Sequence, residues 1–286
     1  MKESKRSDKV MLNIQRAFCY VLLVFLSILC LFSFYILFIN TTRSHPDIQK
    51  GFSIIPGKSF FVNLNSVLNN KNLPVLSGLM NSVIVSSVSA ILATYFSTLT
   101  AYAIHAYEFK FKKFAFGFIM VIMMIPTQVS ALGFVKLMGD MGLMNSFIPL
   151  TVPTIASPII FFFMKQYMQS ALPMDLVEAA RIDGAREFRI FNQIVLPIMK
   201  PAIAVQAIFT FVSAWNNYFI PALLLNKDNK KTLPILIAQL RSADFLKFDM
   251  GQVYMLIAIS IFPVIIVYLI LSKNIVSGIT LGSVKG

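Results

Sequence analysis

Apolar residues fall along this chain in long uncharged runs separated by short polar stretches, and the run lengths set the expected architecture. The first run, residues 17–39, is long enough as a helix to cross a bilayer, which takes about 20 residues. It exceeds the apolar core of a signal peptide, about 7–15 residues, and no small-x-small cleavage site follows, so it reads as a retained span. Further runs at 78–104, 114–135, 147–164, 201–225 and 253–271 bring the expected number of membrane helices to six. Pro126-Thr127-Gln128 interrupts the third. The pattern predicts an all-α membrane protein. It has a polar tail at 1–16, a first span at 17–39 and an extracytoplasmic loop at 40–77 with a short helix at Phe60–Leu68. A five-helix core at 78–271 and a second tail at 272–286 follow.

The most polar run in the second half, residues 171–197, lies between the fourth and fifth spans. Pro173 suits a helix start, and Asp175 and Glu178 favour the positive end of a helix dipole. Ala179, Ala180 and Arg181 propagate the helix, and Gly184 can end it in the left-handed conformation. A second short helix fits Ala185 to Val195, with Phe188, Phe191 and Val195 on one face. Leu196-Pro197 is expected to break it, because proline lacks a donor and clashes with the preceding turn. Two short helices at an angle outside the bilayer suit a groove on another protein.

Composition agrees with a membrane protein: 57% of the 286 residues are hydrophobic, against about 45–50% in soluble domains. The net charge of +13 is scattered between apolar runs rather than gathered on one face, which argues against nucleic acid as a partner. With a cytoplasmic N-terminus, 15 of the 25 Lys and Arg fall inside, so both termini and the 171–197 loop are expected in the cytoplasm. Cys19 and Cys30 sit in the first span and read as small apolar fillers. The hydroxyl residues from Ser82 to Thr98 in the second span read as close-packing positions.

The six runs contain no Asp or Glu, whereas ion-coupled carriers place carboxylates in the membrane. No phosphate-cradling G-x-x-x-x-G-K-[ST] and no H-E-x-x-H occur, and His45 and His105 stand far apart at span ends. No catalytic or metal constellation is expected. A path lined by neutral polar groups suits a hydrogen-bonding solute. Trp215, Asn216, Asn217 and Tyr218 are the leading candidates, because aromatic faces pack on sugar rings while amides bond hydroxyls. Asn81 and Gln128 are further candidates. The competing reading of the same cluster is an interfacial aromatic girdle with interhelical hydrogen bonds.

Glu178-Ala179-Ala180, then Asp183-Gly184, then Ile194-x-Leu196-Pro197 resemble the EAA loop of bacterial ABC-importer permeases, the segment that docks on the ATP-hydrolysing subunit. From Asn81 onward the chain looks like the carbohydrate-uptake branch, in particular the second permease of maltose-type systems. Asn81-Ser82, Pro126, Ile182-Asp183-Gly184-Ala185, Trp215-Asn216 and the closing Gly278 to Gly286 carry that likeness. Asn217 departs from it, since an acidic residue is frequent there. The resemblance implies a heterodimer with a second permease, two ATP-binding subunits that carry ATP and Mg, and an extracytoplasmic solute-binding protein. It implies a bacterial cytoplasmic membrane, surrounding lipid, a sugar as cargo, and a tail with Lys285 and Gly286 that approaches the ATPase. The same machinery carrying a polyol or glycerol phosphodiester is the nearest alternative, with an ion-coupled carrier behind it.

Overall fold

The computed structural model describes residues 2–70, 73–242 and 249–282. Among these, the regular elements are helices, in the order α1 (Lys2–Thr41), α2 (His45–Gln49), α3 (Phe60–Leu68), α4 (Val75–Ala106), α5 (Lys112–Met123), α6 (Thr127–Asp140) and α7 (Ile148–Thr151). A 3-10 turn at Val152–Ala156 leads into α8 (Pro158–Ala171), followed by α9 (Met174–Ile182) and α10 (Glu187–Ile190). A π turn at Phe191–Val195 joins α10 to α11 (Leu196–Trp215), and α12 (Phe219–Leu224), α13 (Leu233–Arg241) and α14 (Met250–Gly282) complete the chain.

Five stretches are long and apolar enough to cross a membrane: Met11–Thr41, Val75–Ala106, Ile148–Ala171, Glu187–Trp215 and Met250–Asn274. The expected third span is not a straight crossing. Its halves, α5 and α6, bend by 98° at the break containing Pro126, and they count as a sixth span only together. At 1.5 Å per residue the 12-residue α5 reaches about 18 Å, short of a bilayer core of about 30 Å.

The chain divides into two compact units, Met1–Asn70 with Leu240–Ile259, and Lys71–Gln239 with Ser260–Gly286. In the first, residues 40–70 of the expected loop are held by more side-chain bonds than their polar composition suggests. Asn63 donates through Nδ2 to the carbonyls of Thr41 and Arg43 at 2.8 and 2.9 Å. The Arg43 guanidinium donates to Asn40 Oδ1 at 3.2 Å, to Gly51 O at 3.0 Å and to the Asp47 carbonyl. His45 Nδ1 accepts the Met250 N–H, the opening amide of α14, at 3.0 Å. A Cβ on Gly251 would lie 2.7 Å from Asn63 Oδ1, so glycine permits that close approach. Above this polar body α1 presents apolar side chains on every face from Met11 to Phe34, and Cys19 and Cys30 are free and exposed.

The second unit is built on α4. Ser82, Ser86, Ser89, Ala93, Thr94, Ser97, Thr98 and Ala101 are buried along it, so neighbouring helices approach closely. Ser89 donates to Leu150 O at 3.2 Å, Ser97 donates to Ser157 O at 3.4 Å, and Thr94 and Thr98 return to carbonyls of their own helix. This is the packing role expected for the hydroxyl series. Around the C-terminal half of α4, Phe161, Met164 and Met168 of α8 and Met199 of α11 form the main core.

At the N-terminal end of α4, side chains hold a backbone segment. Asn81 Nδ2 donates to the carbonyls of Asn229 and Lys231, each at 2.9 Å, and Ser82 Oγ accepts the Leu233 N–H at 2.8 Å. Asn145, with a φ of 57°, accepts the Asn226 and Lys227 N–H groups on Oδ1 at 2.7 and 2.8 Å. Asparagine tolerates that left-handed backbone better than most residues because its side chain bonds locally.

Candidate functional site

The 171–197 run folds as expected in its first half. Helix α9 starts at Met174 with Pro173 as its N-cap and ends at Ile182. Gly184 has a φ of +76°. Its N–H bonds Arg181 O at 3.0 Å, and the Ala185 N–H bonds Ala180 O at 3.0 Å. These two bonds define a Schellman cap, which satisfies carbonyls that a helix end otherwise leaves open. No atom lies within 4 Å of a Cβ built on Gly184, so the glycine is needed for its dihedral and not for space.

The second half departs from expectation. Leu196-Pro197 does not end the helix: α10, the π turn and α11 run continuously from Glu187 to Trp215. The Leu196 N–H reaches back five residues to Phe191 O, and this wider turn gives the proline ring room while its missing donor is not called upon. Phe188 does not share the buried face either. Ile190, Phe191 and Val195 are buried, whereas Phe188 is 70% exposed. Side chains on a helix tilt toward its N-terminus, so a residue in the first turn of α10 projects past the end of the bundle.

The hairpin therefore has two faces. Val177, Ile190 and Phe191 anchor it in the core, with Ala180, Ala185, Ile194 and Leu196 packed against them. Leu176, Ile182 and Phe188 are exposed apolar tips, Ile182 at 87%, and Asp175, Glu178, Ala179 and Asp183 share the exposed side. Pro197 is exposed along α11.

A polar cluster unforeseen from the sequence braces this hairpin. Arg181 Nε donates to Glu187 Oε1 at 2.7 Å across the glycine turn, tying α9 to α10. The other carboxylate oxygen, Oε2, accepts the Tyr102 hydroxyl of α4 at 2.9 Å. The guanidinium carbon lies 5.1 Å from the centre of the Tyr107 ring. Burial first, and the hydrogen bond to Glu187 second, push the Tyr107 phenol above its ordinary value, so it stays a donor. An ion pair whose side chains are 32% and 43% exposed contributes less than a buried one. Its worth here is geometric, because one carboxylate fixes three elements.

The candidate path residues are placed differently from the helix interior expected for them. Trp215 is buried, its ring stacked on Phe211 at 5.6 Å, and it closes α11. Asn216 is the C-cap, and Asn217 and Tyr218 follow it in an exposed turn. Asn81 is engaged by the backbone of residues 229 and 231, and Gln128 stands in the first turn of α6. None of these lines the cavity of about 740 Å³ in this unit. That cavity is mostly apolar, with Thr94, Tyr95, Asn192 and Lys200 as its polar margin, and Tyr95 donates to Asn192 Oδ1 at 3.3 Å. Lys285 and Gly286 lie outside the described residues.

Comparison with known proteins matches this architecture. Residues 93–280 match the family described as binding-protein-dependent transport system inner membrane component. The chain is 33% identical over 267 residues to the arabinooligosaccharides transport system permease protein AraQ of Bacillus subtilis (strain 168), covering 91% of this chain and 92% of that protein. It is 28% identical over 267 residues to the sn-glycerol-3-phosphate transport system permease protein UgpE of Yersinia pestis, covering 92% of this chain and 95% of that one. Among solved structures, a bacterial ABC transporter involved in the import of the acidic polysaccharide alginate shares the fold. The TM-score is 0.77 at 23% identity, over 91% of this chain and 96% of that chain. The chain belongs to the inner-membrane components of binding-protein-dependent transport systems, and it is a multi-pass permease subunit of an ABC importer.

Proposed function

We propose that this permease imports an oligosaccharide and is driven through the hairpin Met174–Ile190 by an ATPase that docks on it. The observation that carries the docking role is the exposed apolar pair Ile182 and Phe188 on a hairpin whose other face is locked into the core. Exposed apolar tips beside acidic Asp175, Glu178 and Asp183 suit a groove with an apolar floor and a basic rim. In this reading the chain pairs with a second, related permease. It has no ATPase site of its own, and ATP and Mg are held by two partner subunits. The termini and the hairpin face the cytoplasm, the tail at Lys285 and Gly286 approaches the ATPase, and a solute-binding protein delivers cargo from the other side.

The likeness to the arabinooligosaccharide permease supports a carbohydrate cargo. The likeness to the glycerol-phosphate permease supports a second reading, in which the same machine carries a glycerol phosphate ester. In either case the proposed path passes Asn216, Asn217 and Tyr218, which are exposed past the end of α11, with Trp215 packed behind them on Phe211.

Proteoliposomes holding the intact complex with ATP inside and no ion gradient test both. ATP-dependent uptake of a pentose or hexose oligosaccharide, without uptake of glycerol 3-phosphate, is expected. Uptake of the phosphate ester alone selects the second reading. Uptake driven by a proton or sodium gradient without ATP overturns both.

A further inference from the structure

The hairpin end of the second unit carries a basic feature that the transport reading does not use. Helix α5 begins with Lys112, and Phe116 lies one turn further on the same face. Helix α8 carries Phe161 with Lys165 one turn beyond it. The two rings meet at 6.1 Å, and Lys165 Nζ stands 4.8 Å from the centre of the Phe116 ring. Lys165 therefore lies over the ring that follows Lys112 by one turn of α5.

The charges gathered there exceed their partners. Lys165 has no carboxylate within 4.0 Å among the described residues, and Lys112 is paired with Glu108 at 2.7 Å, whose side chain is 89% exposed. Lys112 itself is 24% exposed, and a pair with one partner so open to water holds its geometry weakly. His105, at the end of α4, has its Nε2 buried with no hydrogen-bond partner among the described residues. Lys110 and Lys113 flank the same helix start. Beyond the lysines α5 turns exposed Phe114, Phe118 and Val121 outward, a face for acyl chains.

We propose that Lys112 and Lys165 clamp the phosphate of an anionic phospholipid, with the half-buried Phe116 ring, backed by the core residue Phe161, as the floor under its headgroup. Basic pockets between membrane helices, with apolar surface directly beneath, recognise such headgroups. Lysine stems lie along the apolar faces while their ammonium groups reach the interface. The site requires that these helices span a bilayer. Its assignment to the cytoplasmic leaflet rests on the hairpin orientation proposed above.

The test uses the intact complex in nanodiscs. Photoreactive phosphatidylglycerol and photoreactive phosphatidylcholine are compared by mapping labelled peptides. Phosphatidylglycerol is expected to label the peptides around residues 112–118 and 158–165 in preference to phosphatidylcholine. Removing both charges in Lys112→Gln/Lys165→Gln should lower that labelling about 30-fold, since each ammonium near the surface counts for about fivefold. Labelling of α1 should not change. The charge-conserving Lys112→Arg/Lys165→Arg should keep the labelling, which separates a lost site from a misfolded variant. Equal labelling by the two lipids, or labelling indifferent to the glutamines, overturns the proposal. Displacement of the label by inorganic phosphate at constant ionic strength identifies a free-phosphate site and overturns the lipid source. A complex that transports nothing but still labels selectively leaves this proposal standing while the transport reading falls.

Discussion

The two ends of α4 are held by different chemistry. At its N-terminal end, neutral side chains grip a backbone: Asn81 and Ser82 bond residues 229, 231 and 233, and Asn145 bonds 226 and 227. At its C-terminal end, Tyr102 meets the Glu187 carboxylate, which is already paired with Arg181. The first arrangement fixes the course of a loop. The second fixes two short helices to each other and to α4 through one anion, so in the proposed docking role a push on the hairpin would be delivered to the central helix of the unit. A docking element that must pass on force needs that second kind of joint, because a hinge between α9 and α10 would absorb the motion.

Breaking the charged joint should have the largest effect. Glu187→Ala strands the Arg181 guanidinium and frees Tyr102, and after the discount for a pair 32% and 43% exposed it should cost about 1–2 kcal/mol in thermal unfolding of the complex. ATP hydrolysis should then continue with transport per ATP sharply reduced. Glu187→Gln, which keeps the Tyr102 contact, should recover part of the coupling. Equal coupling in all three would show that the ion pair transmits nothing.

Next comes the glycine turn. Gly184→Val forces a β-branched residue into left-handed backbone at roughly 1–2 kcal/mol, with no steric clash to add. Lower ATPase affinity at unchanged permease assembly is the expected reading from pull-down and gel filtration.

At the other end, Asn145→Gly keeps the left-handed backbone and removes two hydrogen bonds, for about 1 kcal/mol. It should weaken stimulation by the solute-binding protein while leaving ATPase attachment intact. If Asn145→Gly impairs ATPase attachment instead, the two ends do not divide their roles in this way.

The smallest stability effect belongs to Asn216→Leu and Asn217→Leu. Both side chains are exposed past the end of α11, so unfolding should move by no more than about 0.5 kcal/mol. Slower solute uptake at normal assembly places them on the path. Normal uptake per assembled complex removes them from it.

These residues also show what a sequence reader can and cannot see. Gly184 was legible because the left-handed cap depends on local backbone preference, and Pro126 because it interrupts an apolar run. The hydroxyl series of α4 was legible because close helix packing selects small residues whatever the partner. The Arg181–Glu187–Tyr102 brace was not, since Tyr102 and Glu187 are 85 residues apart and no periodicity links them. Pro197 misled because local rules assume an α turn, and the π turn before it removes the clash. The end of α11 was hidden for another reason: apolar composition continues to Leu225, ten residues past Trp215, so hydropathy could not mark where the helix stops. The bonding within residues 40–70 is equally hidden, because Asn63 and Arg43 act on backbone carbonyls, which any sequence supplies.

The most direct test of the coupling role is capture of the ATPase by an affinity-tagged permease pair carrying Ile182→Asp/Phe188→Asp. Both side chains are exposed, so the thermal unfolding of the permease pair without ATPase should match wild type. Loss of the ATPase from the captured complex, together with loss of ATP-driven uptake, is the predicted result. Full ATPase retention with normal uptake would contradict the assignment of this hairpin as the docking surface.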